Sequence, residues 1–354
     1  MSNQEKIAVV LMNLGGPLKT EDIKPFLFNF FMDRNIIAAP RFIRYFIARL
    51  IAFRRGGGAA LESYAALGGR SPLLDNTRAQ AAALESALQK DGALQVKTFV
   101  SMRYWHPLAP ETIAAVKEWG TTRVVLLPLY PQWSTTTSFS SFQDWGRAAR
   151  KAGLDAATDV ICCYPEEDGF ITASALNILR KLSLAPPATR VLFSAHGLPE
   201  NIIRAGDSYQ HQCEMTAAAI VRKMNVPGLD WQICYQSRVG PLKWIGPSTE
   251  QALEKAAQDK VGVIVYPHAF VSEHVETLVE IEEEYREMAH ELGIPYFDRV
   301  DTVSTEPLFI DGLARLVRDR LSKKPWRRVC PDNFSRCACL RNGFDEGIAG
   351  KAPA

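Results

Sequence analysis

No run of about 18 apolar residues occurs anywhere in this 354-residue chain, which argues against a spanning helix. The opening residues, Met1 to Val10, hold only a short apolar run. They are expected to form a first strand rather than the h-region of a secretory leader. An excess of charge of either sign is also missing. With 41 basic and 39 acidic residues the net charge is +2, which gives no electrostatic basis for nucleic-acid binding. A phosphate-binding signature is absent as well. Asn13-Leu-Gly-Gly-Pro17 has paired glycines, but it lacks G-x-G-x-x-G spacing and no Lys-Ser/Thr follows. The pair is read instead as a tight turn where backbone approaches a ligand. Cysteine is sparse and odd in number, seven in all, which favours reduced thiols in the cytoplasm over a disulfide framework.

What the chain does have is an alternation of short apolar runs and longer amphipathic segments. Continuous apolar runs at 7–12, 94–102, 123–131, 161–165, 191–196, 231–237 and 261–270 predict strands buried on both faces of parallel sheets. Helices are expected over 20–55, 75–90, 110–119, 169–182 and 209–224, after the hydroxyl-rich loop 132–138, and after Ser272. A faint internal echo accompanies this order. Leu-Gly-Gly-Pro17 after strand one resembles His-Gly-Leu-Pro199 after the strand at 192, and Leu126 to Pro131 resembles Val265 to Pro267. The simplest account is an α/β chain of two similar halves, spanning 5–155 and 156–322, with a separate tail over 323–354.

Chemistry gathers at predicted strand ends, where open α/β sheets bind ligands. The strand ending Ser194-Ala-His196-Gly197 presents an imidazole there. The strand that runs to Phe270 leads into Ser272-Glu-His-Val-Glu276, so His196, His274 and Glu276 are candidates for metal and proton chemistry. The helix after Ser272 also carries Glu273, Glu280, Glu283, Glu284 and Glu287. Such a stripe could pass divalent cations inward, and its mutual repulsion predicts a local distortion of the helix. Residues 26–53 are unusually aromatic, with Phe26, Phe28, Phe30, Phe31, Phe42, Tyr45, Phe46 and Phe53. That apolar surface is wider than core packing needs. It suits the lip of a pocket for a large flat ligand, or a surface resting on a membrane. Arg54 and Arg55 on the following Gly-rich turn suit carboxylates. Arg103-Tyr-Trp-His106 is a second polar–aromatic cluster at a strand end, the hydroxyls of 134–138 suit a helix cap or an anion, and Trp244 lies in a Gly/Pro-rich loop open to a ligand.

Several of these stretches together resemble the ferrochelatase family. They are Leu11 to Pro17, Arg103-Tyr104 with His106-Pro107, Tyr130 to Thr137, Leu192 to Pro199, Gln236 to Pro241 with Trp244 to Pro247, and Ser272 to Leu278. The resemblance covers roughly residues 5–320 in the right order. It implies two Rossmann-like halves of chelatase type with a porphyrin cleft between them. It further implies insertion of Fe2+ into protoporphyrin IX, the last step of haem synthesis, with release of two protons. A free porphyrin is flat, apolar in its ring and anionic at two propionates, so the aromatic lip and the arginines suit it. On this resemblance His196 is base or metal ligand, Glu276 is the metal-site carboxylate and His274 supports it. Leu14, Arg103, Tyr104, Trp244 and Phe270 match positions that contact or bend the macrocycle, and bending exposes the nitrogen lone pairs. Arg54 and Arg55 are expected to meet the substrate carboxylates. Peripheral contact with the inner face of a membrane fits a poorly soluble substrate, and a homodimer is left open.

The tail stands apart. Cys330, Cys337 and Cys339 give C-x6-C-x-C, three thiols within ten residues, and no histidine lies near to complete a zinc site. Some ferrochelatases hold a [2Fe–2S] cluster with C-terminal cysteines and one internal cysteine. A cluster needs four thiolates, and the loop Ser134 to Thr137 that supplies one in other members has none here. Cys162 and Cys163 remain as candidates for the fourth ligand, whereas Cys213 and Cys234 read as core residues. Two other readings of the whole chain stay in view: a chelatase for another metal or tetrapyrrole, and a haem- or metal-binding carrier without turnover.

Overall fold

The computed structural model describes residues 5–90, 95–237 and 242–322. In chain order the first elements are β1 (Lys6–Asn13), α1 (Ile23–Phe31), α2 (Arg41–Arg55), α3 (Ala59–Ala66), α4 (Leu73–Gln89) and β2 (Gln95–Met102). Next come α5 (Ala109–Glu118), β3 (Arg123–Pro128), α6 (Ser138–Ala152) and β4 (Ala157–Val160). They are followed by α7 (Asp168–Leu182), β5 (Thr189–His196), α8 (Glu200–Arg204), α9 (Tyr209–Met224), β6 (Trp231–Gln236), α10 (Thr249–Asp259) and β7 (Gly262–Tyr266). A π-helix (Glu276–Glu284) leads into α11 (Tyr285–Glu291), and β8 (Phe297–Arg299) and α12 (Pro307–Leu321) complete the described chain. The molecule divides into two compact units. Among the described residues, unit 1 runs to Cys163 and resumes at Leu313, and unit 2 is Tyr164–Gly312.

Unit 1 is built on a parallel sheet of order β2-β1-β3-β4. β1 lies between two neighbours, and every residue from Ile7 to Asn13 is buried, which explains its unbroken apolar sequence. Ala8, Val10 and Met12 point to one face, against Ile113 and Val116 of α5 and Phe142 and Trp145 of α6. Truncating an indole buried as fully as Trp145 costs about 3–5 kcal/mol, so this layer contributes heavily to the stability of the unit. The far end of α12 returns to the same unit. Arg318 Nη2 donates to the Ala87 carbonyl at 2.7 Å, and Arg123 donates to the carbonyls of Arg320 and Leu321 at 3.3 Å each. The guanidinium thereby satisfies carbonyls that the helix end leaves open.

Unit 2 repeats the plan with the order β6-β5-β7-β8, again all parallel. Leu192, Val263 and Val265 pack against Ala252, Leu253 and Ala256 of α10 and against Ile281, Tyr285 and Ala289 of the π-helix and α11. The other face holds Ala195 and Tyr235 with Tyr209 and Cys213 of α9. The internal echo read from the sequence has its counterpart here, because β1 and β5 occupy the same place in their sheets, as do β3 and β7. The repeat extends to the loops. Met102 N donates to the Pro107 carbonyl at 2.7 Å after β2, and Tyr235 N to the Pro247 carbonyl at 3.0 Å after β6. Both prolines follow cis bonds. Each is followed by a helix whose entry is tied by a side chain three residues on, Glu111 to Leu108 N at 2.6 Å and Gln251 to Ser248 N at 2.9 Å.

Several expected boundaries move, for local reasons. The helical stretch 20–55 is two main helices, broken where Asp33 Oδ1 accepts from Asn35 N at 2.9 Å and where Pro40 precedes α2. The strand expected at 161–165 lies earlier, at 157–160. It pairs with β3, so the first sheet extends beyond residue 155. The strand expected to reach Phe270 stops at Tyr266, because Pro267 cannot donate to a ladder and the chain curls, with Phe270 N donating to the Pro267 carbonyl at 3.0 Å. α10, β8 and α12 had no place in the expected order. The paired glycines do form a close approach, but to protein. A Cβ on Gly15, whose φ is +87°, would lie 3.0 Å from Trp105 N, and one on Gly16 would lie 2.6 Å from the Ser71 side chain.

Candidate active site

β5 ends at His196, and the chain after β7 turns through Phe270 to bring His274 and the first turn of the π-helix alongside. His196 Nδ1 and Glu276 Oε2 are 3.0 Å apart, and His274 Nε2 lies 3.8 Å from the same oxygen. The His196 side chain is 35% exposed, and its Nε2 makes no hydrogen bond among the described residues. Burial opposes the charge on His196. The adjacent Glu276 carboxylate, its hydrogen bond and the charge of Glu280 outweigh burial and raise the imidazole above its ordinary range. Burial likewise disfavours the Glu276 carboxylate, yet His196 and His274 hold it well below the usual carboxylate range. The pair therefore favours imidazolium beside carboxylate. When neutral, His196 keeps its proton on Nδ1 and presents a lone pair at Nε2.

His274 is buried. Its ring centroid is 4.5 Å from that of Phe270, and its Nδ1 has no hydrogen-bond partner among the described residues. Trp244 is half-buried and joins the turn after β5. It bridges to Pro199, and Ile245 N donates to the Leu198 carbonyl at 3.0 Å. His196, Glu276, His274, Phe270 and the Trp244 segment all lie in unit 2. The expected distortion of the acidic helix is a π-helix of nine residues, whose i→i+5 bonding widens the turn.

The acidic stripe is not one surface. Glu283, Glu284 and Glu287 are exposed. Glu273 turns away, both oxygens 3.1 Å from Arg299 Nη1 and one accepting from Thr302 N at 2.7 Å. Glu280 accepts from Gln236 Nε2 at 3.0 Å, Ser237 N at 2.8 Å, Ser237 Oγ at 2.5 Å and Tyr285 OH at 3.1 Å. Among the described residues no group of three His, Cys, Asp or Glu side chains is arranged to hold a metal ion.

In unit 1 the ends of β1 and β2 bring Leu14, Arg103 and Tyr104 together. Asn13 and Leu14 carbonyls accept from Arg103 N at 2.8 Å and Tyr104 N at 3.0 Å. The Arg103 guanidinium lies 4.6 Å from the Tyr104 ring centroid, and its Nη2 donates to Asp33 Oδ2 at 3.0 Å. Tyr104 is fully buried and its hydroxyl donates to the same oxygen at 2.7 Å, while Ser140 Oγ donates to it as well. Burial alone would raise the Asp33 carboxyl, but Arg103 and these donors bring it below its ordinary value. Thr137, the N-cap of α6, makes no side-chain cap bond. Arg54 and Arg55 occupy the last turn of α2, and no carboxylate among the described residues pairs with either. α2 itself buries Ala48 and Ala52 and turns Phe42, Phe46 and Phe53 outward at 67%, 68% and 71% exposure.

Cys330, Cys337 and Cys339 lie outside the described residues. Cys162 and Cys163 are buried in unit 1 just beyond β4. Cys213 and Cys234 are fully buried core residues, as expected. Burial pushes the Cys213 thiol far up and the Cys234 thiol to about 12. Asp33 and Tyr285 are not among the sequence candidates, and Gln236 enters there only as the first residue of the stretch to Pro241. Asp33 had a signal, as a carboxylate ending the aromatic run Phe30-Phe31-Met32. For Gln236 the signal was weaker, an amide closing a strand that also carries Gln232.

Two parallel four-stranded sheets, one of them presenting a carboxylate–imidazole pair at its strand ends, define the architecture of a metal chelatase. SirB from Bacillus subtilis, solved with Fe3+, aligns with a TM-score of 0.53 at 11% identity, covering 89% of this chain and 95% of its own. The sirohydrochlorin chelatase SirB of B. subtilis subspecies spizizenii, in complex with cobalt, gives 0.52 at 12% identity with the same coverage. At such identities the likeness establishes the fold alone. The ferrochelatase family model matches residues 6–321. The ferrochelatase of Caulobacter vibrioides is 49% identical over 346 residues, 95% of this chain and 98% of that protein. Those of Phenylobacterium zucineum and Rickettsia bellii are 45% and 43% identical, each over 96% of this chain. The chain belongs to the ferrochelatase family.

Proposed function

We propose that this protein is a ferrochelatase, a lyase that inserts Fe2+ into protoporphyrin IX with release of two protons, at the last step of haem synthesis. The observation that carries the reading is the 3.0 Å His196–Glu276 pair, set in a chain of the ferrochelatase family. Porphyrin metallation needs an acceptor for pyrrole protons, and neutral His196 offers the Nε2 lone pair while Glu276 steadies the imidazolium that results. The metal is a substrate and must leave. Two protein donors, His196 and Glu276, suit a transient contact better than a closed cage, and His274 supports the carboxylate. Leu14 and Arg103 in unit 1, and Trp244 and Phe270 in unit 2, are the proposed ring-contacting positions, with Tyr104 acting from beneath Arg103 and Arg54 and Arg55 for the propionates. The test mixes purified protein, protoporphyrin and Fe2+ without oxygen and follows the porphyrin spectrum. Conversion to haem with turnover is expected, and tight binding without conversion would instead make the protein a carrier.

The outward face of α2 supports peripheral contact with the inner face of a membrane from a cytoplasmic location. Phe42, Phe46 and Phe53 recur on one side, and Arg41, Arg44, Arg49, Arg54 and Arg55 add positive charge with no acidic residue on the helix. No helix among the described residues is long and apolar enough to cross a membrane. Anionic liposomes should retain the protein and lose most of a Phe42→Ser, Phe46→Ser, Phe53→Ser variant in a flotation assay. Equal retention of both would assign those rings to the pocket lip.

A [2Fe–2S] cluster is the remaining part of the reading. On the family resemblance Cys330, Cys337 and Cys339 with Cys162 or Cys163 would hold it, the adjacent pair lying just beyond β4 and Cys213 and Cys234 lying in the core of unit 2. Such a cluster supplies a covalent anchor for the chain segment that binds it. Protein purified anaerobically should be coloured, with iron and acid-labile sulfide in equal amounts. Cys330→Ser, Cys337→Ser or Cys339→Ser, or the Cys162→Ser, Cys163→Ser double variant, should remove the colour, and Cys213→Ser should not. Colourless protein, or stoichiometric zinc, would overturn this assignment.

A further inference from the structure

Glu280 follows Glu276 by one turn of the π-helix, and an acidic stripe there reads most simply as a path for cations. Its contacts give it a further role. A carboxylate offers about four lone-pair sites, and Glu280 receives four donors, from Gln236 Nε2, Ser237 N, Ser237 Oγ and Tyr285 OH. Those donors are themselves committed. Gln236 is fully buried at the end of β6. Its Nε2 also lies 3.3 Å from the main-chain carbonyl of Glu276, and its Oε1 accepts from Ser194 Oγ at 2.8 Å. Ser194 precedes His196 by two residues on β5. One amide therefore joins the strand that carries the imidazole to the helix that carries its carboxylate partner. Ser237 has φ +61°, a left-handed conformation unusual for a residue with a side chain, and both of its bonds to Glu280 hold it there.

We infer that Glu280 and Gln236 form one positioning unit that holds Glu276 against His196. The inference rests on the proposed iron-insertion activity, since positioning has meaning only for that pair. Glu280→Gln turns one acceptor oxygen into a donor facing other donors. Gln236→Met keeps the volume and removes both arms of the amide link. Each single variant should lower kcat for iron insertion by about 10–100-fold, the range for partners that orient a metal-site ligand. Porphyrin KM should stay within about twofold and the melting temperature within about 4 °C. The double variant should be no slower than the slower single one, because both cut the same link. Ser237→Ala removes one of the four bonds and should give a smaller loss, again in kcat; it serves as the milder variant should the others fold poorly.

Losses that multiply in the double variant would overturn the inference, as would a Glu280→Gln protein with unchanged kcat and a raised KM for Fe2+. Wild-type protein that inserts no iron would overturn the functional reading itself. An active wild type, an inactive Glu276→Gln and an indifferent Glu280→Gln would overturn this inference alone.

Discussion

His196→Ala should lower the rate of iron insertion by about 10²–10⁴-fold, the contribution expected of a positioned proton acceptor. The imidazole ends β5, its Nδ1 is engaged by Glu276 at 3.0 Å, and Nε2 is the atom left open. Removing it leaves the sheet intact, because the side chain stands at the strand end rather than in the apolar layers. Circular dichroism and porphyrin fluorescence quenching should therefore be nearly unchanged. Glu276→Gln keeps shape and hydrogen bonding but removes the charge that makes His196 basic, so a large loss is expected there too. Glu284→Gln, on an exposed part of the same helix, should lose less than about twofold, as for a solvated surface change. Near-normal turnover in His196→Ala, or equal small effects at Glu276 and Glu284, would remove this pair from the chemistry.

Asp33→Ala should destabilise unit 1 by about 3–5 kcal/mol, the usual cost of removing one member of a buried ion pair. The Asp33 side chain is 3% exposed and that of Arg103 13%. Alanine leaves the guanidinium short of a counter-charge and the Tyr104 hydroxyl without its acceptor. The pH dependence has a definite sign. The folded-state pKa of Asp33 lies below its ordinary value of 3.8. Its contribution is therefore fully present above that value and is lost as pH falls through the folded pKa. Denaturant unfolding from neutral pH into the acid range should show a wild-type stability that falls toward the Asp33Ala value. A neutral-pH difference under about 1 kcal/mol would mean that solvent stabilises the Arg103 charge.

The sequence made the strands legible because parallel strands buried on both faces must be continuously apolar. Val9 and Val10, Leu126 and Leu127, and Val263 to Val265 announce themselves for that reason. His196 and Glu276 were legible as polar groups where such runs stop. Less was readable where a long-range partner decides the outcome. Asp33 shows only as a carboxylate following Phe30 and Phe31 until Arg103, 70 residues away in sequence, lies beside it. Glu280 reads as one carboxylate in an acidic stripe until Ser237 and Gln236 occupy its lone pairs. The outward turn of Phe42, Phe46 and Phe53 was hidden within an aromatic run in which Phe26 is buried and Phe28, Phe30 and Phe31 are half-buried. Only packing separates the two faces. The strand end at Tyr266 was readable from Pro267, and the sequence reading ran past it.

Unit 1 is discontinuous in the chain: its sheet ends with β4, and the residues from Leu313 that return to it follow the whole of unit 2. On the ribosome, the roughly 150 intervening residues take about 8–30 s to add at 5–20 residues per second. For that interval the Ala87 and Arg123 anchor points of α12 wait for their partners. Unit 2 has its strands and most of its helices in hand as soon as it emerges. The half translated first is thus the half completed last.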